Sequence, residues 1–147
     1  MIVLLLIALT TSLVVITMRH DVSTVVEGEA RRFAALVEQM CQEGIVQGKL
    51  FALRTDGVDG YRFDAYSADG WQSVDDDDVL RPRSLPDDIT LELQLPDSGG
   101  NGRQQYLVCG PDGALSSFYA VFRLDDSEYR VSTNEVQEIQ VEPVRSD

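Results

Sequence analysis

Residues 1–48, MIVLLLIALTTSLVVITMRHDVSTVVEGEARRFAALVEQMCQEGIVQG, decide the fold. Met1–Met18 carries no charge and is interrupted only by Thr10, Thr11, Ser12 and Thr17, whose hydroxyls can bond back to helix carbonyls. At ~1.5 Å per residue this run would extend roughly 27 Å, close to the ~30 Å hydrocarbon core of a bilayer. It reads as a membrane helix. A cleaved secretory signal would show a basic region before the apolar stretch and a small-x-small site after it. Neither is present, and Arg19, His20 and Asp21 follow directly, so a retained anchor is expected. The cations Arg19, Arg31 and Arg32 all follow the span. Taken literally, the positive-inside rule would keep the domain in the cytoplasm, unless a basic leader precedes Met1 in the natural precursor.

From Val22 to about Val46 the pattern changes. Val22, Val26, Ala30, Phe33, Val37, Met40 and Gly44 recur at steps of three and four, tracing one helical face. The opposite face carries Glu27 with Arg31 and Glu29 with Arg32, pairs contributing about 0.2 to 0.5 kcal/mol each on a solvated surface. Gly44 and Gly48 are expected to stop the helix. With no proline between Met18 and Val22, one helix of roughly 45 residues is predicted, apolar all round in its first half and amphipathic in its second.

Beyond Gly48 the period becomes two, the signature of half-buried strands. Phe51 and Leu53 share a face, as do Tyr61, Phe63 and Ala65, and Ile89, Leu91, Leu93 and Leu95 alternate with polar residues. The series continues with Tyr106 and Val108, with Phe118, Ala120, Phe122 and Leu124, with Tyr129 and Val131, and with Ile139 and Val141. Turn residues separate these segments, among them Asp56-Gly57, Asp69-Gly70, Pro96 to Gly102, Pro111-Asp112-Gly113 and Asp125-Asp126. The expected fold class is α+β: a long N-terminal helix packed on an antiparallel β domain, in two sheets. Its segments are residues 1–20 (membrane part of the helix), 21–48 (amphipathic part) and 49–147 (β domain).

Charge narrows the function. Asp and Glu number 25 against 12 Lys and Arg, a formal charge of −13, and Lys49 is the single lysine. Such a chain repels phosphate backbones, so no nucleic-acid partner is expected. No catalytic constellation emerges: His20 is the only histidine and sits at the membrane border. One His and two widely separated Cys do not make a zinc site, and no cofactor or metal is expected. The Asp75–Asp78 run and Asp56/Asp59 read as solvated loops rather than calcium ligands, because consecutive residues in extended chain point to opposite sides. Gly99–Gly102 is followed by a strand rather than a helix, unlike a phosphate cradle. Trp71 and Pro82–Pro86 have packing and turn explanations. Cys41 and Cys109 are either bridged, in an oxidising compartment, or two buried thiols; spacing alone does not choose.

In order along the chain stand Glu29-Ala30-Arg31-Arg32-Phe33-Ala34-Ala35-Leu36, Gly60-Tyr61-Arg62-Phe63, Gly70-Trp71-Gln72, Leu80-Arg81-Pro82-Arg83-Ser84-Leu85-Pro86 and Pro111-Asp112-Gly113. This ordered set resembles the H-type minor pseudopilins of the type II secretion system, the GspH/FimT group of pilin-like proteins. The likeness covers nearly the whole chain. It implies a noncatalytic subunit near the tip of a periplasmic pseudopilus, in contact with the other minor pseudopilins of the tip complex and with the major pseudopilin. It also implies a single-pass inner-membrane anchor with the C-terminal domain in the periplasm. Ile2, Leu5, Leu6, Leu9, Leu13 and Val14 are then the membrane and filament-packing residues. Family members begin with a basic leader and Gly-Phe-Thr-Leu-x-Glu, where a peptidase cuts and methylates. Ile2–Val15 looks like the stretch that follows that glutamate, so Met1 is expected to lie inside a longer precursor. The rival reading is a minor pilin of a type IV pilus, acting in assembly or DNA uptake. Residues 125–147 argue against DNA, with seven acids against Arg130 and Arg145.

Overall fold

The computed structural model describes the backbone of residues 2–86, 88–96 and 105–145, and side chains within these from Val22 onward. One helix, α1 (Ile2–Gln47), precedes nine strands: β1 (Phe51–Thr55), β2 (Gly60–Ser67), β3 (Gly70–Ser73), β4 (Arg83–Ser84), β5 (Thr90–Gln94), β6 (Tyr106–Cys109), β7 (Tyr119–Leu124), β8 (Ser127–Thr133) and β9 (Ile139–Pro143). They form two sheets, antiparallel throughout. The first runs β3-β2-β1-β6 with β4 paired to β2, and the second runs β5-β7-β8-β9.

The predicted stripe is the buried face of α1. Val26, Ala30, Phe33, Val37 and Met40 are fully buried, and each large apolar side chain among them contributes about 1.5 to 3 kcal/mol by leaving water. Ala34 and Leu36 are buried as well, so the covered face is wider than one stripe. The reason is that α1 lies against both sheets at once. Phe33 marks the seam: its ring meets Tyr61 of β2 edge-on at 5.1 Å and Phe122 of β7 at 5.3 Å. Helix and sheets therefore share one core.

The helix ends differently from expectation. Gly48 alone stops it, with φ of 63° and the Lys49 N–H donating to the Gly44 carbonyl at 3.1 Å, a Schellman closure. Gly44 lies inside the helix, where an added Cβ would sit 3.1 Å from the Lys49 carbonyl and 3.5 Å from that of Gly110. Its missing side chain lets the loop after β6 approach.

β5 follows its sequence alternation, with Leu91 and Leu93 buried between exposed neighbours. The two-residue turn Asp125-Asp126, with Asp125 at φ 51°, joins β7 to β8. β6 presents the face opposite to the one read from Tyr106 and Val108. Leu107 and Cys109 are buried, because they pair with Leu53 and Phe51, the inward residues of β1. The outward Tyr106 instead stacks on Trp71 of β3 at 5.5 Å, and Tyr66 meets Trp71 edge-on at 5.3 Å. Ala52 and Asp64, on the same outer face, are consequently buried.

Candidate assembly surface

Several charged groups that could have marked a reaction centre are occupied in holding the fold. Asp64 is 3% exposed, and its carboxylate lies 2.8 Å from the Arg54 guanidinium on the neighbouring strand. Asp56 pairs with Arg62 at 3.0 Å. Within Asp75–Asp78, Asp77 accepts from the N–H of Val79 at 2.7 Å and of Leu80 at 2.9 Å. Those backbone donors hold its carboxyl below the usual range. Asp77 is thus a turn-closing residue. Among the described residues no group of three or more His, Cys, Asp or Glu converges on a metal site.

Tyr61 is the clearest perturbed group. Burial pushes its phenol up to about 12, with Arg32 opposing and Glu29 reinforcing the shift. Its hydroxyl has no hydrogen-bond partner among the described residues, and the ring is packed on Phe33 and Phe63. A proton held this tightly in an enclosed aromatic cluster is suited to packing and not to acid-base chemistry near neutral pH. Close by, Arg83 donates to the Val79 carbonyl at 2.8 Å; burial first, and then the neighbouring Arg32 and Arg81, disfavour its charge.

Cys41 of α1 and Cys109 of β6 form a disulfide with Cα atoms 5.4 Å apart, enclosing 68 residues of chain separation. The bridge fastens the C-terminal half of the helix to the first sheet. Nearer its N-terminal end, Tyr129 of β8 reaches Ser23 at 3.3 Å and donates to Glu27 at 3.4 Å, tying the helix to the second sheet.

With its buried face held at both ends, α1 turns the other face to solvent. Val25, Gly28, Ala35, Gln42 and Val46 are exposed along it, and Val46 is 81% exposed. Arg31 and Glu27 pair on its flank at 2.7 Å. This uncovered strip continues directly from the backbone of residues 2–21, which belongs to the same helix. Ile2, Leu5, Leu6, Leu9, Leu13 and Val14 have side chains outside the described residues, as do His20 and the Gly99–Gly102 loop. Among the described residues no helix is long and apolar enough to cross a membrane.

Sequence reasoning missed the Trp71–Tyr106 stack and the Arg54–Asp64 pair. Only the alternation of Trp71 with Gln72 hinted at the first, and nothing local hinted at the second, since Arg54 lies opposite Arg62 and meets Asp64 diagonally.

No family model and no curated protein sequence matches the chain. Solved structures do. A crystal structure of the minor pseudopilin EpsH from the type II secretion system of Vibrio cholerae superposes with a TM-score of 0.67 at 23% identity, covering 86% of this chain and 99% of that one. Another structure of minor pseudopilin EpsH from the same system gives a TM-score of 0.64 at 22% identity, over 78% of this chain and 94% of that one. The architecture is therefore the α+β, pilin-like fold of EpsH: one N-terminal helix on two antiparallel sheets, as the sequence resemblance implied.

Proposed function

We propose that this chain is a minor pseudopilin of a type II secretion system, a noncatalytic structural subunit near the tip of the periplasmic pseudopilus that helps export folded proteins across the outer membrane. The observation that carries the reading is the fold match to EpsH over 99% of the EpsH chain, with which the family resemblance of the ordered sequence motifs agrees. The uncovered strip of α1 supports it, because a filament subunit needs a helix face left open for its neighbours. Residues 1–20 serve as the inner-membrane part of the helix, residues 21–48 as its amphipathic part and residues 49–147 as the periplasmic domain. The Cys41–Cys109 bridge suits an oxidising compartment.

The anchor is exchangeable on physical grounds. Lipid tails are about as apolar as leucine, so moving Leu4, Leu5, Leu6, Leu9 and Leu13 from bilayer to a bundle of similar helices changes little per side chain. Leaving them in water would cost roughly 1.5 to 3 kcal/mol each. Extraction then proceeds only where other pseudopilins offer partner helices. Deleting the gene tests the reading: exoproteins trapped folded in the periplasm, and released on complementation, support it. Normal secretion in the deletion strain overturns it.

A further inference from the structure

A groove of about 490 Å³ opens between α1, the loop before β7 and the turn joining β8 to β9. The apolar part of its lining is Cys41 of the disulfide, the buried Leu115 and the half-buried Ile139. Glu38 and Gln42 line it from the helix, and Gln137 and Glu138 line it from the turn before β9. No cation lines it. Every ion pair among the described residues lies elsewhere, on Glu27, Glu29, Asp64, Asp56, Glu92 and Glu128, and neither Glu38 nor Glu138 takes part in one. The Glu138 carboxylate accepts from the Asn134 amide at 3.3 Å. Beside the groove, Ile45 packs against Gly113 yet remains 53% exposed, and Val136 is 72% exposed.

We propose that this groove docks an arginine or lysine of a partner protein, its methylene stem lying on Leu115, Ile139 and the disulfide and its cationic head between Glu38 and Glu138. A long cationic side chain is the occupant that matches both parts of the site, because its stem is apolar and its end is charged. Arginine adds donors in a fork that suits paired carboxylates. The exposed Ile45 and Val136 would then cover apolar residues flanking that cation, giving a buried anchor with an apolar surround. Other occupants fit less well. A divalent cation would want more oxygen ligands than two glutamates, and no third such side chain joins them among the described residues. Anionic lipid and nucleic acid are repelled by the same carboxylates. Glu38 also stands roughly 27 Å along the helix from residue 20, beyond reach of a membrane surface at that point. The assignment rests on the groove's chemistry and stands apart from the secretion reading.

The test uses the full chain, isotope-labelled in detergent micelles, titrated with the tripeptide acetyl-Leu-Arg-Leu-amide and with its neutral citrulline counterpart. Saturable shifts confined to amides around the groove, such as Gln42, Leu115 and Ile139, are expected. The citrulline peptide, and the variants Glu38→Gln and Glu38→Gln/Glu138→Gln with the native peptide, should each bind about tenfold more weakly or worse. Both glutamates are exposed, so spectra of the variants should overlay on the parent away from the groove. Absence of saturable shifts, shifts elsewhere on the domain, or equal affinity for arginine and citrulline peptides would overturn the proposal.

Discussion

Opening the Cys41–Cys109 bridge is the perturbation whose consequence can be worked most fully from the structure. The two cysteines are 68 residues apart, and the loop they close contains β1 through most of β6, that is, the whole first sheet and the first strand of the second. In the chain-entropy model, cross-linking a loop of that length removes about 4 kcal/mol of unfolded-state freedom at 25 °C. The suitable variant is Cys41→Ser/Cys109→Ala: Cys41 is partly exposed and accepts a hydroxyl, whereas Cys109 is fully buried and should not receive an unpartnered one. For a unit of roughly 120 residues, with an unfolding entropy of ~2.1 cal/mol/K per residue, a loss of about 4 kcal/mol lowers Tm by about 15 °C. Circular dichroism melts of the full chain in detergent would read this shift directly. Reductant should move the parent toward the variant and leave the variant unchanged. A variant melting within about 3 °C of the parent would refute the reasoning, since the bridge would then constrain little. So would two thiols in the parent that react with an alkylating reagent before any reductant is added.

Asp64→Asn should leave the half-buried Arg54 guanidinium without its counter-charge. A destabilisation of about 2 to 4 kcal/mol is expected, visible as a lower urea midpoint at unchanged slope; an unchanged midpoint would mean that solvent already screens the pair. Tyr61 gives a pH signature. Its phenol titrates near 10.0 when unfolded and near 12 when folded, so its contribution is fully present below pH 10 and is lost as pH rises from 10 toward 12. Tyr61→Phe should flatten the alkaline fall in stability across that interval while costing little at pH 7, because the hydroxyl has no partner among the described residues. An identical alkaline limb in parent and variant would assign the fall to other groups.

Much of the fold is legible in the sequence because it is local. The spacing of Val26, Ala30, Phe33, Val37 and Met40 repeats with the helical period, and the alternation from Ile89 to Leu95 repeats with that of a strand, so each can be read without knowing its neighbours. What escapes is set by partners distant in the chain. β6 has apolar residues on both faces, and only its pairing with β1 decides that Leu107 and Cys109 turn inward. Trp71 and Tyr106 belong to strands separated by β2 and β1, and their rings meet across that sheet. The glutamate-walled groove draws on three segments far apart in sequence, each unremarkable alone. Gly44 looks like a second helix stop and is instead a point of close approach, a distinction that depends on where Gly110 lies.

The account depends most on α1 being a filament helix whose uncovered face packs on sister subunits. Ala35 is exposed at the middle of that face, away from the core and the disulfide. Placing a photo-crosslinking amino acid at Ala35 in otherwise native, secreting cells measures the contact directly. The account predicts a covalent adduct between this chain and another pseudopilin of the same system, lost when assembly is blocked. A chain that is present and folded yet yields no adduct to any pseudopilin from Ala35 would contradict it.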